Sequence, residues 1–585
     1  MEIKERLKQL QAKMAKEGID YYFINTSDYH MSEYISEHFK TLRYFSGFSG
    51  SLGQLVIGLD DAHLFVDGRY HAQAANEIKG SGIVLERLGI KGVLSADEYL
   101  IKYAKGKSIG LDGRVISTAF VKKLLKAGLK VTSIDLYSDL YLDRPPLNND
   151  MLYELSLKYT GLSRREKLCI IKEVLKKKTM ITQNLESVAY ALNLRGNDIA
   201  YTPVFLANLV FYRDDVYLFI NKSRLSDVIL EGLYEDGVII KDYDAFYDFI
   251  KTIKKEVVLL DEEKCSYETY RLLDRSNEIH HMMGLIEEMK MVKNSIEIKN
   301  SKLAHIYDGV AMVRFMKWLK ESDKEGLNEY DVKIKVDRCR LEYKAFDLSF
   351  NTIVGYNENA AMMHYSPNEK VHAPLHNSGI LLIDSGGQYF EGTTDITRTF
   401  ALGEVDDKVK MYFTLVLASM FNLASVKFLK GLSGDKLDIL ARQYLWERGI
   451  DYRCGTGHGV GHVLAVHEMP PNIRYRLCGN PSVEVPLKAG NIFSDEPGVY
   501  FEKEFGIRCE NLLLCKKEME TEYGEFLGFE HLTKVPFDLD LIDLKYLDEK
   551  TKGLLNTYHK DVYESLAPYL NDEELSFLSK ATRSI

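Results

Sequence analysis

Carboxylates and imidazoles recur in short glycine-punctuated motifs through the later part of the chain. These are Leu382-Ile-Asp-Ser-Gly-Gly-Gln-Tyr389, Gly392-Thr-Thr-Asp-Ile-Thr-Arg398, Gly455-Thr-Gly-His-Gly-Val-Gly461, Ser494-Asp-Glu-Pro-Gly-Val-Tyr500 and Gly506-Ile-Arg-Cys-Glu-Asn511. They supply Asp384, Asp395, His458, Glu496 and Glu510, four carboxylates and one imidazole. Such a hard, charge-dense set suits two divalent ions. Two ions about 3.5–4 Å apart repel each other, and bridging carboxylates neutralise and hold them. Oxygen-dominated donors favour Mn(II) or Mg(II) over a thiolate-type zinc site, although raw affinity favours zinc or cobalt. Mn(II) is therefore the expected ion, with Zn(II) or Co(II) as alternatives.

In order and spacing the five motifs resemble the metal site of the pita-bread metallopeptidases: methionine aminopeptidase, prolidase and aminopeptidase P. The resemblance implies that Asp395 and Glu510 bridge, that Asp384 completes one ion, and that His458 with Glu496 completes the other. A water shared by two such ions would ionise near neutral pH, since metal binding lowers its pKa from about 15.7 towards ~7. The expected nucleophile is that hydroxide. Glu496 is the expected general base, passing the proton to the leaving nitrogen. The tetrahedral oxyanion needs stabilising donors in a water-poor site, and two further histidines resemble the family's catalytic pair. His364 lies in Asn357-Glu-Asn-Ala-Ala-Met-Met-His-Tyr-Ser-Pro367 and His467 in Val466-His-Glu468. Taken alone, either reads as a structural or surface histidine. Arg508 matches a family arginine that supports the site; its plainer reading is a charge partner for Glu510.

One departure stands out. Many relatives have a histidine four residues before the metal-binding one, where this chain has Cys454. The resemblance gives this position no direct coordination, so a buried, inert thiol is expected and a Cys/His hydrolase is disfavoured. His462 also lies four residues from His458, a spacing that would pair them on a helix. Glycines 457, 459 and 461 argue against one, each costing about 1 kcal/mol relative to alanine. The segment is expected to be a loop or strand entry, with only His458 in the ligand position.

The positioning elements follow from pattern. Gly379-Ile-Leu-Leu-Ile-Asp384 reads as a short apolar strand stopped by Ser-Gly-Gly. Alternation along Gly506-Ile-Arg-Cys-Glu-Asn-Leu-Leu-Leu514 predicts one strand with Arg508 and Glu510 on the same face. A long helix begins near 291, with Asn294 or Ser295 as N-cap and Glu297 supporting the first turn. Earlier in the chain, Gln54-Leu-Val-Ile-Gly-Leu-Asp-Asp-Ala-His-Leu-Phe-Val-Asp67 matches Asn208-Leu-Val-Phe-Tyr-Arg-Asp-Asp-Val-Tyr-Leu-Phe-Ile-Asn221. Each reads as a strand, an acidic turn and a returning strand, which suggests two related α/β domains.

The first copy carries Arg43-Tyr-Phe-Ser-Gly-Phe-Ser-Gly-Ser-Leu-Gly53 and Phe65-Val-Asp-Gly-Arg-Tyr70, similar to the N-terminal domain of creatinases, prolidases and aminopeptidases P. The second, with Asn193-Leu-Arg-Gly-Asn-Asp-Ile-Ala-Tyr-Thr-Pro-Val-Phe205, is similar to the middle domain of three-domain aminopeptidases P. The resemblance thus implies an α/β (α+β) chain with creatinase-like domains at 1–156 and 157–290. A pita-bread catalytic domain at 291–525 and a C-terminal extension at 526–585 complete it.

Length and composition agree with this. At 585 residues the chain needs several cores. A net charge of -10 argues against nucleic-acid or anionic-membrane partners. The amino-terminal stretch has helical spacing and no signal-peptide core, and nothing approaches the ~20 apolar residues needed to cross a bilayer. Seven scattered cysteines fit a reducing, cytoplasmic setting. The resemblance implies a proline-specific aminopeptidase, releasing the first residue of peptides with penultimate proline, and commonly a homodimer. The alternatives are a prolidase, sharing every ligand but cutting only Xaa-Pro dipeptides, and an inactive pita-bread peptide-binding protein. Inert versions lose carboxylates; this chain keeps them.

Overall fold

The computed structural model describes residues 2–475 and 485–585. It contains two compact units, one formed by Met1–Leu155 with Leu162–Ile286, the other by Ser156–Gly161 with Glu287–Ile585.

The first unit bears out the repeat. Its two six-stranded sheets have the same topology. In one, Tyr21–Asn25 pairs antiparallel with Gln54–Gly58 and parallel with Ser108–Leu111. In the other, Thr179–Thr182 does the same with Asn208–Tyr212 and Val257–Leu260. The matched sequences form the hairpins Gln54–Gly58/Ala62–Val66 and Asn208–Tyr212/Asp215–Phe219. Polar contacts join the halves: the Gln183 side-chain amide donates to Tyr29 O (3.2 Å), His30 Nδ1 lies 2.8 Å from Gln183 O, and the Thr118 amide donates to Cys265 O (2.9 Å).

The second unit opens with the helix Ser295–Glu321, whose N-cap is Asn294 in a capping box with Glu297. Leu157–Thr160, earlier in the chain, is tied to this helix: the Asn294 side-chain amide donates to Thr160 O at 2.8 Å. Ile380–Ser385 is the expected apolar strand, central in a three-stranded antiparallel sheet with Ile353–Tyr356 and Ile396–Ala401. A six-stranded sheet contains, in adjacent positions, Asn511–Thr521, Ile492–Asp495, Gly457–Gly459 and Glu468–Ile473. Phe413, Val416 and Met420 of the helix Asp407–Ala424 and Leu555, Tyr558 and Val562 of Glu549–Leu566 share one apolar core.

One expectation is corrected. Arg508 and Glu510 do not lie on one continuous strand. Phe505–Arg508 pairs with Gly498–Phe501, whereas Asn511–Thr521 pairs with Ile492–Asp495. The chain changes partner at Cys509 and Glu510, where the Cys509 amide donates to Pro497 O (3.3 Å).

Candidate metal centre

Sheet register gathers the motifs. Asp384 stands opposite Thr397, and Asp395 immediately precedes the strand Ile396–Ala401. Gly459 pairs with Phe493 and Asp495 with Asn511, so the segments bearing His458, Glu496 and Glu510 run side by side. The approach is close: a Cβ on Gly457 would meet Ser494 O at 1.9 Å, and one on Gly459 would meet Glu468 O at 2.2 Å. Those glycines serve a strand entry, as expected, and not a helix.

The ligand atoms of Asp395, His458 and Glu510 all lie within 4.8 Å of one another. His458 Nε2 is 3.5 Å from Asp395 Oδ2 and 3.4 Å from Glu496 Oε1. Its Nδ1–H donates to Gly459 O (2.9 Å), which directs the Nε2 edge at the carboxylates. Arg508 donates to Asp384 Oδ2 (2.5 Å) through Nη2, to Thr397 Oγ1 (2.9 Å) through Nε and to the Tyr500 hydroxyl (2.8 Å) through Nη1. Thr397 in turn donates to Glu510 Oε2 (2.7 Å). The Ser494 hydroxyl donates to Glu496 Oε1 (3.0 Å), and the Glu496 amide to Thr456 O (2.7 Å).

The site is overloaded with negative charge. Burial, reinforced by Asp395 and Glu496 and opposed by Arg508, pushes the Asp384 carboxyl up to about 7. Burial, with the neighbouring carboxylates, holds Glu510 well above the usual range. For His458, burial disfavours the charge, but Asp395 and Glu496 outweigh it and raise the imidazole to about 9. Asp384 Oδ1 and Glu510 Oε1 are buried without hydrogen-bond partners. Acceptors in this condition fit divalent cations, which would supply the missing positive charge.

The remaining predicted residues are placed as follows. His467 sets its ring edge-on to His458, with centroids 4.3 Å apart. His364 lies on an exposed turn after the helical turn Asn357–Ala361 and is not part of the Asp395–His458–Glu510 cluster. His462 turns elsewhere, with Nε2 3.0 Å from Tyr159 O and Nδ1 3.3 Å from the Ser301 hydroxyl. Cys454 is partly buried, its thiol pushed up to about 11 by burial and Glu496. Sequence reasoning missed Thr397, Ser494 and Tyr500, whose hydroxyls orient the predicted groups. It also missed Asp495, both of whose oxygens are buried without partners. Their places inside the motifs were the available signal.

Comparison with known proteins points to one family of metallopeptidases. Residues 299–517 match "Metallopeptidase family M24" and 525–585 the "C-terminal region of peptidase_M24". Residues 6–141 and 143–297 each match a "Creatinase/Prolidase N-terminal domain". A probable Xaa-Pro aminopeptidase P from Talaromyces marneffei is 36% identical, over 99% of this chain and 92% of its own length. Its counterpart from Sordaria macrospora is 34% identical over 98% and 97%. The crystal structure of an X-prolyl aminopeptidase from Caenorhabditis elegans, described as a cytosolic enzyme with a di-nuclear active site, superposes with a TM-score of 0.93 at 30% identity. The alignment covers 100% of both chains. With two creatinase-type domains ahead of a pita-bread domain, the chain belongs to the Xaa-Pro aminopeptidase P family of M24 metallopeptidases.

Proposed function

We propose that this protein removes the N-terminal residue from peptides with proline in second position. The observation that carries the reading is the convergence of Asp395, His458 and Glu510, flanked by Asp384 and Glu496, in a chain aligned end to end with Xaa-Pro aminopeptidases. Asp384, Asp395, His458, Glu496 and Glu510 would hold two divalent ions, assigned here as Mn(II). Bound ions of this kind polarise a scissile carbonyl and lower the pKa of water towards ~7.

The protein groups do the rest. Glu496, oriented by the Ser494 hydroxyl, accepts a proton from the attacking water and returns it to the leaving nitrogen. His467 and His364 donate to the developing oxyanion and to the substrate backbone. Arg508 holds Asp384 directly and Glu510 through Thr397. Because the Xaa-Pro bond lacks an N–H, its recognition cannot rest on that donor.

The same reading divides the chain at 1–156, 157–290, 291–525 and 526–585. It places the protein in the cytoplasm as a homodimer, with peptides and neither nucleic acid nor membrane as partners. Among the described residues no helix is long and apolar enough to cross a membrane.

The test compares a Xaa-Pro dipeptide, a Xaa-Pro-Yaa tripeptide and its alanine analogue, with and without Mn(II). Metal-dependent cleavage of the proline tripeptide, much faster than of the alanine one, is expected. Equal or better turnover of the dipeptide would move the assignment to prolidase. No turnover of any would leave a peptide-binding role.

A further inference from the structure

The helix Glu329–Leu341 begins with a carboxylate that the metal centre does not use. Glu329 is 0% exposed. Its Oε1 accepts from the Tyr356 amide (2.7 Å) and Asn359 Nδ2 (2.9 Å). Its Oε2 accepts from Asn359 Nδ2 (3.2 Å), the Tyr365 hydroxyl (2.7 Å) and the Ala373 amide (2.7 Å). A carboxylate offers about four lone-pair sites, so the group is saturated. Every donor lies within residues 356–373, the stretch that carries His364 beside the donor Tyr365. The Glu329 amide also donates to Ala373 O (3.1 Å).

Little apolar packing holds this stretch. Between 357 and 373, only Ala360 and Pro367 are buried. Segments with so few buried apolar contacts open at low free energy unless polar groups close them. On the helix side, Lys333 Nζ also donates to the Ser366 hydroxyl (2.9 Å). Glu329 binds both ends of the loop, at 356 and 373, and its middle, at 359 and 365, with hydrogen bonds of the strong, charge-assisted kind.

We propose that Glu329 is a positioning residue, fixing loop 356–373 and through it the catalytic placement of His364. The proposal rests on the role given to His364 above. A displacement of about 1 Å in a positioned group can cost up to ~10²-fold in rate.

The test uses the full chain loaded with Mn(II), comparing Glu329→Gln, Tyr365→Phe, His364→Ala and the Glu329→Gln/His364→Ala double variant on a Xaa-Pro-Yaa peptide. Glutamine keeps the shape of Glu329 but sets an amide NH2 against hydrogen-bond donors. Amide hydrogen exchange should quicken in 356–373 while metal content stays at the wild-type level. The Glu329→Gln kcat should fall roughly 10-fold or more. The double variant should lie within about 2-fold of His364→Ala, because both changes act through one group. Tyr365→Phe should move exchange and kcat the same way by less, and serves if Glu329→Gln does not fold. If His364→Ala is slow while Glu329→Gln is normal, or if the two losses multiply, the inference fails and the His364 reading stands. Wild-type turnover by His364→Ala would overturn the His364 reading, and the inference with it.

Discussion

Glu329 and Glu510 belong to the same unit and are equally hidden, at 0% and 1% exposure. Glu329 has donors on both oxygens, all from one loop. Glu510 has one oxygen on Thr397 and the other on nothing, in a pocket with Asp384 and Asp395. Burial alone therefore does not separate a structural carboxylate from a functional one. Saturation does: the first group finds its donors in the fold, and the second keeps one oxygen without a protein partner, the condition its proposed role as a metal ligand requires.

The sharpest way to break this contrast is at His458. His458→Ala should lose metal and activity together, turnover falling to background and metal analysis of the purified protein dropping with it. His462→Ala, removing a histidine engaged with Tyr159 and Ser301, should keep the metal and at most alter substrate affinity. Similar metal loss in both would show that the unsaturated pocket has been misplaced. Next in size, Glu496→Gln should lower kcat by ~10² or more, the scale of lost acid–base assistance. Metal content must be followed in parallel, since the change also removes ligand charge. Thr397→Val should weaken metal affinity by about 10–100-fold, as loss of an outer hydrogen-bond partner does. Titration of the metal-free protein measures it, and wild-type affinity would mean that the Arg508–Thr397–Glu510 chain is incidental.

The smallest effect concerns a group whose one hydrogen bond requires the neutral form. Burial, aided by Arg398 and Arg583, lowers His559 to about 3, and its Nε2 accepts from the Phe537 amide (3.0 Å). A folded value below the ordinary 6.5 favours the neutral form. The stability it contributes is complete above pH 6.5 and declines as pH falls towards 3. By linkage it should lose about 2 kcal/mol between pH 6.5 and 5. Urea unfolding across that window should show a shallower pH slope for His559→Gln, whose amide oxygen can still accept from Phe537. An unchanged slope would remove His559 from the account.

How much of this was legible depended on whether the signal was local. The apolar strand carrying Asp384, the Asn294 cap and the hairpin repeat each lie within one short window, and the motif residues announced themselves by type. The break at Cys509 and Glu510 did not, because alternation is blind to a change of strand partner. Thr397, Ser494 and Tyr500 are ordinary residue types until their partners are known. Glu329 reads as a routine first-turn acid after Asn328. Its donors lie 27 to 44 residues further on, so only the folded chain brings them to it.

The hydroxyl of Thr397 also has a consequence for readiness. Arg508 Nε can only donate, so the threonine oxygen must receive there, and its single proton is committed to Glu510. The relay has one polarity and no alternative rotor state. Glu510 Oε2 gives one lone pair to it, so the fold itself aims the carboxylate. Whatever orientational entropy that aim costs is lost during folding, and in the proposed role as a metal ligand the binding of an ion would not have to supply it again.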